Sequence, residues 1–88
     1  MRRDITGLVM KPGDGLLKVG VAVQLNLFAQ NKSGTDLIPA NLASWSSADD
    51  QIAEVNRQGR LTPRGTGSVT ISATYLDKMV LAVFTVVD

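Results

Sequence analysis

The residues whose types could carry out chemistry are concentrated in one stretch, SWSSADDQIAEVNRQG, from Ser44 to Gly59. It holds the single tryptophan, Trp45, with a serine on either side, and two adjacent carboxylates, Asp49 and Asp50. A tryptophan face can stack on a sugar, and paired carboxylates can act as general acid and base or as calcium ligands. The stretch can equally be one strand followed by turns, with its tryptophan in the core of a fold.

The rest of the sequence gives catalysis little support. The chain has no histidine and no cysteine, which removes the usual general base and the thiolate zinc ligands. Adjacent side chains on a turn diverge, whereas a glycosidase pair faces one bond across a cleft, with its carboxyl groups about 5 to 9 Å apart. We therefore predict that the chain is not an enzyme.

Calcium is the one cofactor that the composition leaves open. It needs six or more oxygen ligands. The aspartates that we place in loops lack the D-x-D-x-D-G spacing of a calcium loop; they are Asp14, Asp36, Asp49, Asp50 and Asp77. We predict no cofactor, with calcium as the alternative.

Length and charge limit which kinds of protein and partner remain possible. Eighty-eight residues make one small domain, and nine basic against eight acidic residues give a net charge of +1. That balance predicts no nucleic-acid partner. No apolar run approaches the roughly 20 residues of a membrane span, which predicts no membrane insertion, and the first ten residues predict no signal peptide. We expect residues 1–88 to form a single domain excised from a larger multidomain protein.

Hydrophobicity alternates with a period of two almost everywhere. In SVTISATY, Val69, Ile71 and Ala73 alternate with serines and threonines, and VAVQLNLFAQ shows a similar alternation around Leu25 and Leu27. This period is typical of half-buried strands. Strands are predicted near Ile5–Met10, Leu16–Val19, Val21–Gln30, Leu42–Ser46, Ile52–Val55, Arg60–Thr62, Gly67–Tyr75 and Met79–Val87. Short strands separated by turn residues indicate an all-β sandwich or barrel.

Five ordered pieces of the sequence resemble a known family. They are LKVG (17–20), SGTDL (33–37), WSSAD (45–49), IAEVNRQGRLT (52–62) and GTGSVTISA (65–73). Together they resemble the bacterial immunoglobulin-like domain, group 2. The sequence departs from the family pattern between Thr62 and Gly65, where the connection is shorter.

The resemblance implies an immunoglobulin-like β-sandwich of about seven to eight strands, with two packed sheets and no disulfide. Such domains occur in bacterial adhesins, as appendages of secreted enzymes, and in phage tail and capsid proteins. The fold alone does not give the function.

Alternation and the resemblance together define the expected core and turns. The predicted core residues are Leu17, Val23, Leu25, Leu27, Trp45, Ala53, Val55, Leu61, Val69, Ile71, Ala73, Phe84 and Val86. Trp45 shares its strand face with Ala43 and is expected to be almost wholly buried. The predicted turn residues are Gly20, Gly34, Asp49, Gly59 and Gly65. Asp49 is expected to accept hydrogen bonds from turn amides, and Gly59 and Gly65 to have special backbone angles.

The last strand is apolar on both faces. Its row with Phe84 contains no polar residue and is assigned to the core. The other row then lies on an outer face, where such strands usually carry polar side chains, and is the candidate interface: Met79, Leu81 and Val83. Either a small domain tolerates these exposed aliphatic residues, or they contact a neighbouring module, a second subunit or the parent protein.

These expectations favour a non-catalytic structural and interaction module, a spacer or adhesion module of a bacterial cell-surface protein of adhesin type or of a phage virion protein. Its expected partners are neighbouring domains of the parent protein, and a host-surface protein or glycan. Its expected location is extracellular or at the bacterial surface, with the phage virion as alternative. The alternative function is a carbohydrate-binding module appended to a secreted enzyme or phage tail protein. Only Phe28 and Tyr75 would remain as exposed aromatic residues for that role.

Overall fold

A computed structural model describes residues 5–88 of the chain. This part is almost entirely β-structure. The strands are β1 (Gly7–Lys11), β2 (Asp14–Lys18), β3 (Val23–Gln24), β4 (Asn26–Asn31), β5 (Gly34–Ile38), β6 (Ser44–Ser47), β7 (Ala53–Val55), β8 (Arg60–Pro63), β9 (Gly67–Tyr75) and β10 (Lys78–Val87). A short 3₁₀ helix, Ala40–Leu42, lies between β5 and β6. No helix within residues 5–88 is long and apolar enough to cross a membrane.

One layer is a four-stranded sheet in the order β2-β10-β9-β6. β9 and β10 form its centre as an antiparallel hairpin, in which Ser72 lies opposite Leu81 and Val69 opposite Phe84. β2 pairs with β10 in parallel, and β6 pairs with β9 in antiparallel orientation. The strict alternation of β9 places its apolar residues inward, because successive strand side chains point to opposite faces.

The other layer consists of two three-stranded sheets, ordered β1-β4-β5 and β3-β8-β7. Only Leu25 separates β3 from β4, so the two form one extended segment that changes partners. β3 pairs with β8, and β4 then pairs with β1 and β5. The predicted fold class, an all-β sandwich, is confirmed. The structure divides one of the two predicted sheets into two.

Residues 5–88 form ten strands rather than the expected seven to eight or so. One added strand is β5, where the sequence predicted only a turn and an irregular crossing. GTDLI lacks a period-two pattern, yet it pairs with all but the first residue of β4, with Leu37 opposite Phe28. The split of the long second strand at Leu25 accounts for the other addition.

The core lies between the two layers, and ten of the predicted core residues are buried in it: Leu17, Leu25, Leu27, Ala53, Leu61, Val69, Ile71, Ala73, Phe84 and Val86. The other three, Val23, Trp45 and Val55, are partly buried and pack against it. The expectation of an almost wholly buried Trp45 is therefore wrong, because it lies on the short edge strand β6. Four further core residues are Met10, Ala29, Ile38 and Ala82.

The start of β1 and the end of β10 lie at opposite ends of the domain. The amide of Thr6 donates to the carbonyl of Gln30 at 2.8 Å, and that of Val19 to the carbonyl of Val87 at 3.0 Å. Between Val21 and Gln30 the chain runs through β3 and β4, a distance of roughly 30 Å at the rise of a strand. The domain is accordingly elongated, with extents of 45 × 19 × 17 Å.

Candidate functional site

Trp45 spans the two layers at the edge of the sandwich. Its Nε1–H donates to the carbonyl oxygen of Ala40 at 2.8 Å, which ties β6 to the 3₁₀ helix. Its ring lies against Gly59, where a Cβ atom would be only 2.9 Å from Cζ2. Gly59 has a φ of +76°, a conformation that glycine adopts without steric cost. The polar edge and part of the ring are thus engaged within the fold, which leaves little of the indole for stacking on a sugar.

Asp49 and Asp50 do not act as a pair. Asp49 Oδ1 accepts a hydrogen bond from the amide of Gln51 at 2.9 Å, and its own carbonyl accepts from the amides of Ile52 and Ala53 at 3.1 and 3.0 Å. Asp50 is exposed. This is the turn-forming geometry expected of aspartate.

The hydroxyl group of Ser47 serves the same turn. It donates to the carbonyl of Ala53 at 2.6 Å and accepts from the amide of Asp49 at 3.2 Å. A serine beside a carboxylate therefore joins β6 to β7 and is not arranged as a nucleophile with a base.

The turn between β7 and β8 is held by Asn56. Its Oδ1 accepts hydrogen bonds from the amides of Gln58 and Arg60, both at 3.0 Å, while its carbonyl accepts from the amide of Gly59. From the other side, Gln24 Nε2 donates to the carbonyl of Gln58 at 2.7 Å. The predicted turn residues include Gly59 but not Asn56, although the side chain of Asn commonly accepts hydrogen bonds from turn amides.

The predicted turn glycines divide into two groups. Gly20, Gly34 and Gly59 have positive φ. Gly65 does not, so a special backbone angle is not what requires glycine at that position. A Cβ atom there would lie 2.9 Å from the carbonyl oxygen of Gln51. The amides of Arg64 and Gly65 both donate to the carbonyl of Ile52, at 2.7 and 3.1 Å. These hydrogen bonds hold the short connection that follows β8 next to the start of β7.

The aspartates weighed as calcium ligands are spread over the fold. Asp14 begins β2 and Asp36 lies within β5, so the prediction that both lie in loops is wrong. Asp36 Oδ2 accepts a hydrogen bond from Asn31 Nδ2 at 3.0 Å. Across residues 5–88, no three His, Cys, Asp or Glu side chains come together in a way that could hold a metal ion.

The candidate interface lies on the outer side of the four-stranded sheet. Met79, Leu81 and Val83 are 64%, 61% and 54% exposed, whereas the alternate residues Ala82 and Phe84 are buried. The predicted orientation of β10 is therefore the one in the structure. Beside this row, Leu16 of β2 lies opposite Thr85 and is 74% exposed. The sequence of β2 alone does not show that Leu16 lies beside this row, because its position depends on the parallel β2–β10 register.

The two strands beside β10 differ: β2 presents Asp14 opposite Val83 and Lys18 opposite Val87, whereas the outward residues of β9 are small and carry hydroxyl groups. Thr74 lies opposite Met79, Ser72 opposite Leu81, and Thr70 opposite Val83. We name the outward residues of β10, β9 and β6 the uncharged face; they are Met79, Leu81, Val83, Thr85, Ser68, Thr70, Ser72, Thr74, Ser44 and Ser46. None of them is ionisable, although 19% of the chain is charged.

The outer side of the opposite layer differs in charge. Lys11 Nζ lies 5.8 Å from the centre of the Phe28 ring, in the geometry of a cation–π contact. Glu54 of β7 forms an ion pair with Arg64, just beyond β8. Leu37 is 62% exposed on this side.

Comparisons with known proteins agree with this architecture. The family model of the intimin immunoglobulin-like domain matches residues 40–77, which run from the 3₁₀ helix to the β9–β10 hairpin. The crystal structure of an intimin mutant from EHEC O157:H7 is similar to the chain, with a TM-score of 0.68 and 21% sequence identity. The similarity covers 93% of this chain and 47% of that one, so the chain spans about half the length of that structure.

A comparison with curated proteins gives no match. Neither of the two similarities tests the group 2 subdivision, which stays a prediction. The shared fold confirms the expected immunoglobulin-like sandwich, and residues 40–77 are similar to the intimin immunoglobulin-like domain.

Proposed function

We propose that the chain is a non-catalytic structural and interaction module of a bacterial surface protein of adhesin type. The observation that carries the proposal is the likeness to the intimin immunoglobulin-like domain, in both the family segment and the fold. Since fold does not fix function, the residues of the site must agree with it.

The polar residues of Ser44–Gly59 support a structural role. Ser47, Asp49 and Asn56 direct their side-chain oxygens at backbone groups of the turns on either side of β7. Hydrogen bonds of this kind fix loop conformation and leave no nucleophile–base arrangement among these residues. The stretch that was the best candidate for chemistry therefore serves the fold.

The shape of the domain supports a spacer role within the same proposal. The start of β1 and the end of β10 lie at opposite ends of a domain that is 45 Å long. At the exit, β10 is paired with β2 over five residues in parallel orientation. A module of this form adds length along one axis when it is joined to others, and its outer faces remain available for contacts.

Surface location is the feature that separates this proposal from the alternatives. An antibody against the chain should label intact cells of the organism that carries the gene, and external protease should remove the label. A cytoplasmic protein labelled only after lysis provides the control. Labelling that requires lysis, or that appears on phage particles instead, would contradict the proposal and favour an intracellular or virion protein.

A further inference from the structure

We infer that the edge strand β2 pairs with β2 of a second copy of this chain, in antiparallel orientation about a two-fold axis at Leu16. The pairing joins the four-stranded sheets of the two copies edge to edge. The inference goes beyond the proposed function, because it concerns pairing and not location. A surface protein whose domain does not pair would still satisfy the proposed function, so the two can fail separately.

The backbone of β2 has an open edge. Among residues 5–88, β2 pairs with β10 alone and lies at the margin of its sheet. The amide of Val19, just beyond β2, donates to the carbonyl of Val87 on β10 at 3.0 Å. Alternate residues of a strand direct their backbone groups to opposite edges. The amides and carbonyls of Asp14, Leu16 and Lys18 therefore point to the open edge, where a further strand can bond to them.

β2 borders the uncharged face but carries two charges of opposite sign. The side chains of Asp14, Leu16 and Lys18 lie on the outer side of the sheet, and all three are exposed. Leu16, between the two charges, is 74% exposed, more than any other large hydrophobic residue within residues 5–88. The open edge thus presents a carboxylate, an apolar side chain and an ammonium group at every second position.

This order of charges selects a copy of the chain as the partner. In an antiparallel two-fold pairing centred on Leu16, each Leu16 lies opposite the other, and each Asp14 lies opposite Lys18 of the second copy. Opposite charges directly across two strands stabilise the pair, and like charges destabilise it. Charges on an edge strand ordinarily prevent pairing. An acid and a base at equal distances from the centre instead favour pairing with an identical strand.

The other edge strands of similar length lack this symmetry. β5 carries Asp36 at its centre, so pairing with a copy about that centre brings two carboxylates together. β1 carries one ionisable residue, Lys11, at its end, and β6 carries none. Of these four edges, only that of β2 has charges that match a copy of itself.

The backbone geometry of β2 is compatible with this register. Leu16 meets its copy as a hydrogen-bonded pair, with Cα atoms about 5.5 Å apart. The carbonyl of Lys18 already accepts from the amide of Val21 at 3.1 Å, but a carbonyl has a second lone pair. Nothing lies within 4 Å of the Cβ position of Gly15, so the space beside the strand is open. A contact along five residues is small, and we expect weak dimers with a Kd of about 10 μM to 1 mM.

Sedimentation equilibrium of the chain over a wide concentration range tests the inference. The wild type should show a monomer–dimer equilibrium. Asp14→Lys and Lys18→Asp should each weaken it by about tenfold or more, because two-fold symmetry turns two attractive pairs into two repulsive ones. Asp50→Lys and Lys32→Asp are the matched controls, since they change the net charge equally at exposed turn positions. Both controls should associate like the wild type.

Two complementation experiments distinguish a copy of the chain from any other partner. An equal mixture of Asp14→Lys and Lys18→Asp should associate as heterodimers, because every lysine of one variant then faces an aspartate of the other. The double variant, in which the two charges are exchanged, should associate with itself like the wild type. Variants that had merely lost their fold would show neither result.

Hydrogen exchange of the wild-type chain tests the same pairing without any substitution. Exchange at the amide of Leu16 should slow as concentration rises, while exchange in β5, an edge strand of the opposite layer, should not change. A monomer at every concentration, single variants that associate like the wild type, or controls that lose association equally would each overturn the inference. Failure of both the mixture and the double variant to associate would overturn it as well.

Discussion

The indole of Trp45 covers Gly59, and the two residues come from opposite layers of the sandwich. A Cβ atom at Gly59 would lie 2.9 Å from Cζ2 of Trp45 and 3.1 Å from the carbonyl oxygen of Leu25. The amide of Leu25 in turn donates to the carbonyl of Gly59 at 2.8 Å. This contact explains why the β7–β8 turn ends in glycine.

Gly59→Ala should destabilise the domain by about 2 kcal/mol or more, because it combines backbone strain at φ +76° with a steric clash. Gly20→Ala is the matched control. Gly20 has a φ of +85°, and nothing lies within 4 Å of its Cβ position, so it should show the strain alone. Urea denaturation gives both values. Equal losses in the two variants would mean that the Trp45 contact has no energetic weight.

Trp45→Ala should cost about 3 kcal/mol, the lower end of the range for a large aromatic residue, because the side chain is only partly buried. Removing the indole should also remove the clash at Gly59. The double variant with Gly59→Ala should therefore be more stable than the sum of the single effects predicts, by more than about 0.5 kcal/mol. Simple additivity would contradict the packing described above, as would a native fluorescence maximum equal to that of the unfolded chain.

Asp49 separates a turn role from a calcium or catalytic role. Asp49→Asn keeps the oxygen that accepts from Gln51, so stability should change by less than about 0.5 kcal/mol. Asp49→Ala removes the acceptor and should cost about 1 kcal/mol. Thermal unfolding with and without calcium measures both variants against the wild type. A clear rise in the wild-type midpoint with calcium, lost in Asp49→Asn, would support a metal site instead.

Gly65→Ala should cost about 1 to 3 kcal/mol through close contact, since its Cβ would press on the backbone oxygen of Gln51 at 2.9 Å. The neighbouring Thr66 is exposed, and Thr66→Ala should stay within about 0.5 kcal/mol of the wild type. Urea denaturation of the two variants measures the difference in their free energies of unfolding. A Gly65→Ala variant as stable as Thr66→Ala would show that the short connection can relax.

Regular alternation made some elements predictable from the sequence. β9 was predicted with the bounds Gly67–Tyr75 that the structure has, because its apolar and hydroxyl residues alternate without a break. The inward side of β10 followed from Phe84 and a row free of polar residues. In both strands a single pattern fixes both the element and its buried face.

Other features depend on pairing that the sequence does not display. β5 has no alternation, and its pairing with β4 is a tertiary contact. Trp45 was expected in the centre of the core, but the sequence does not show that β6 is a short edge strand. Leu16 joins the outer side of the sheet only through the parallel β2–β10 register. A local pattern cannot report neighbours that are far apart in sequence.

The most direct test of the account as a whole is thiol labelling of the parent protein on intact cells, since the chain has no cysteine of its own. Leu37→Cys and Leu81→Cys place one thiol on each layer, at positions that are 62% and 61% exposed in the isolated domain. With a membrane-impermeant maleimide, we predict labelling of Leu37→Cys on intact cells, while both variants label equally in dilute purified protein. No labelling of either variant before lysis would contradict a surface module.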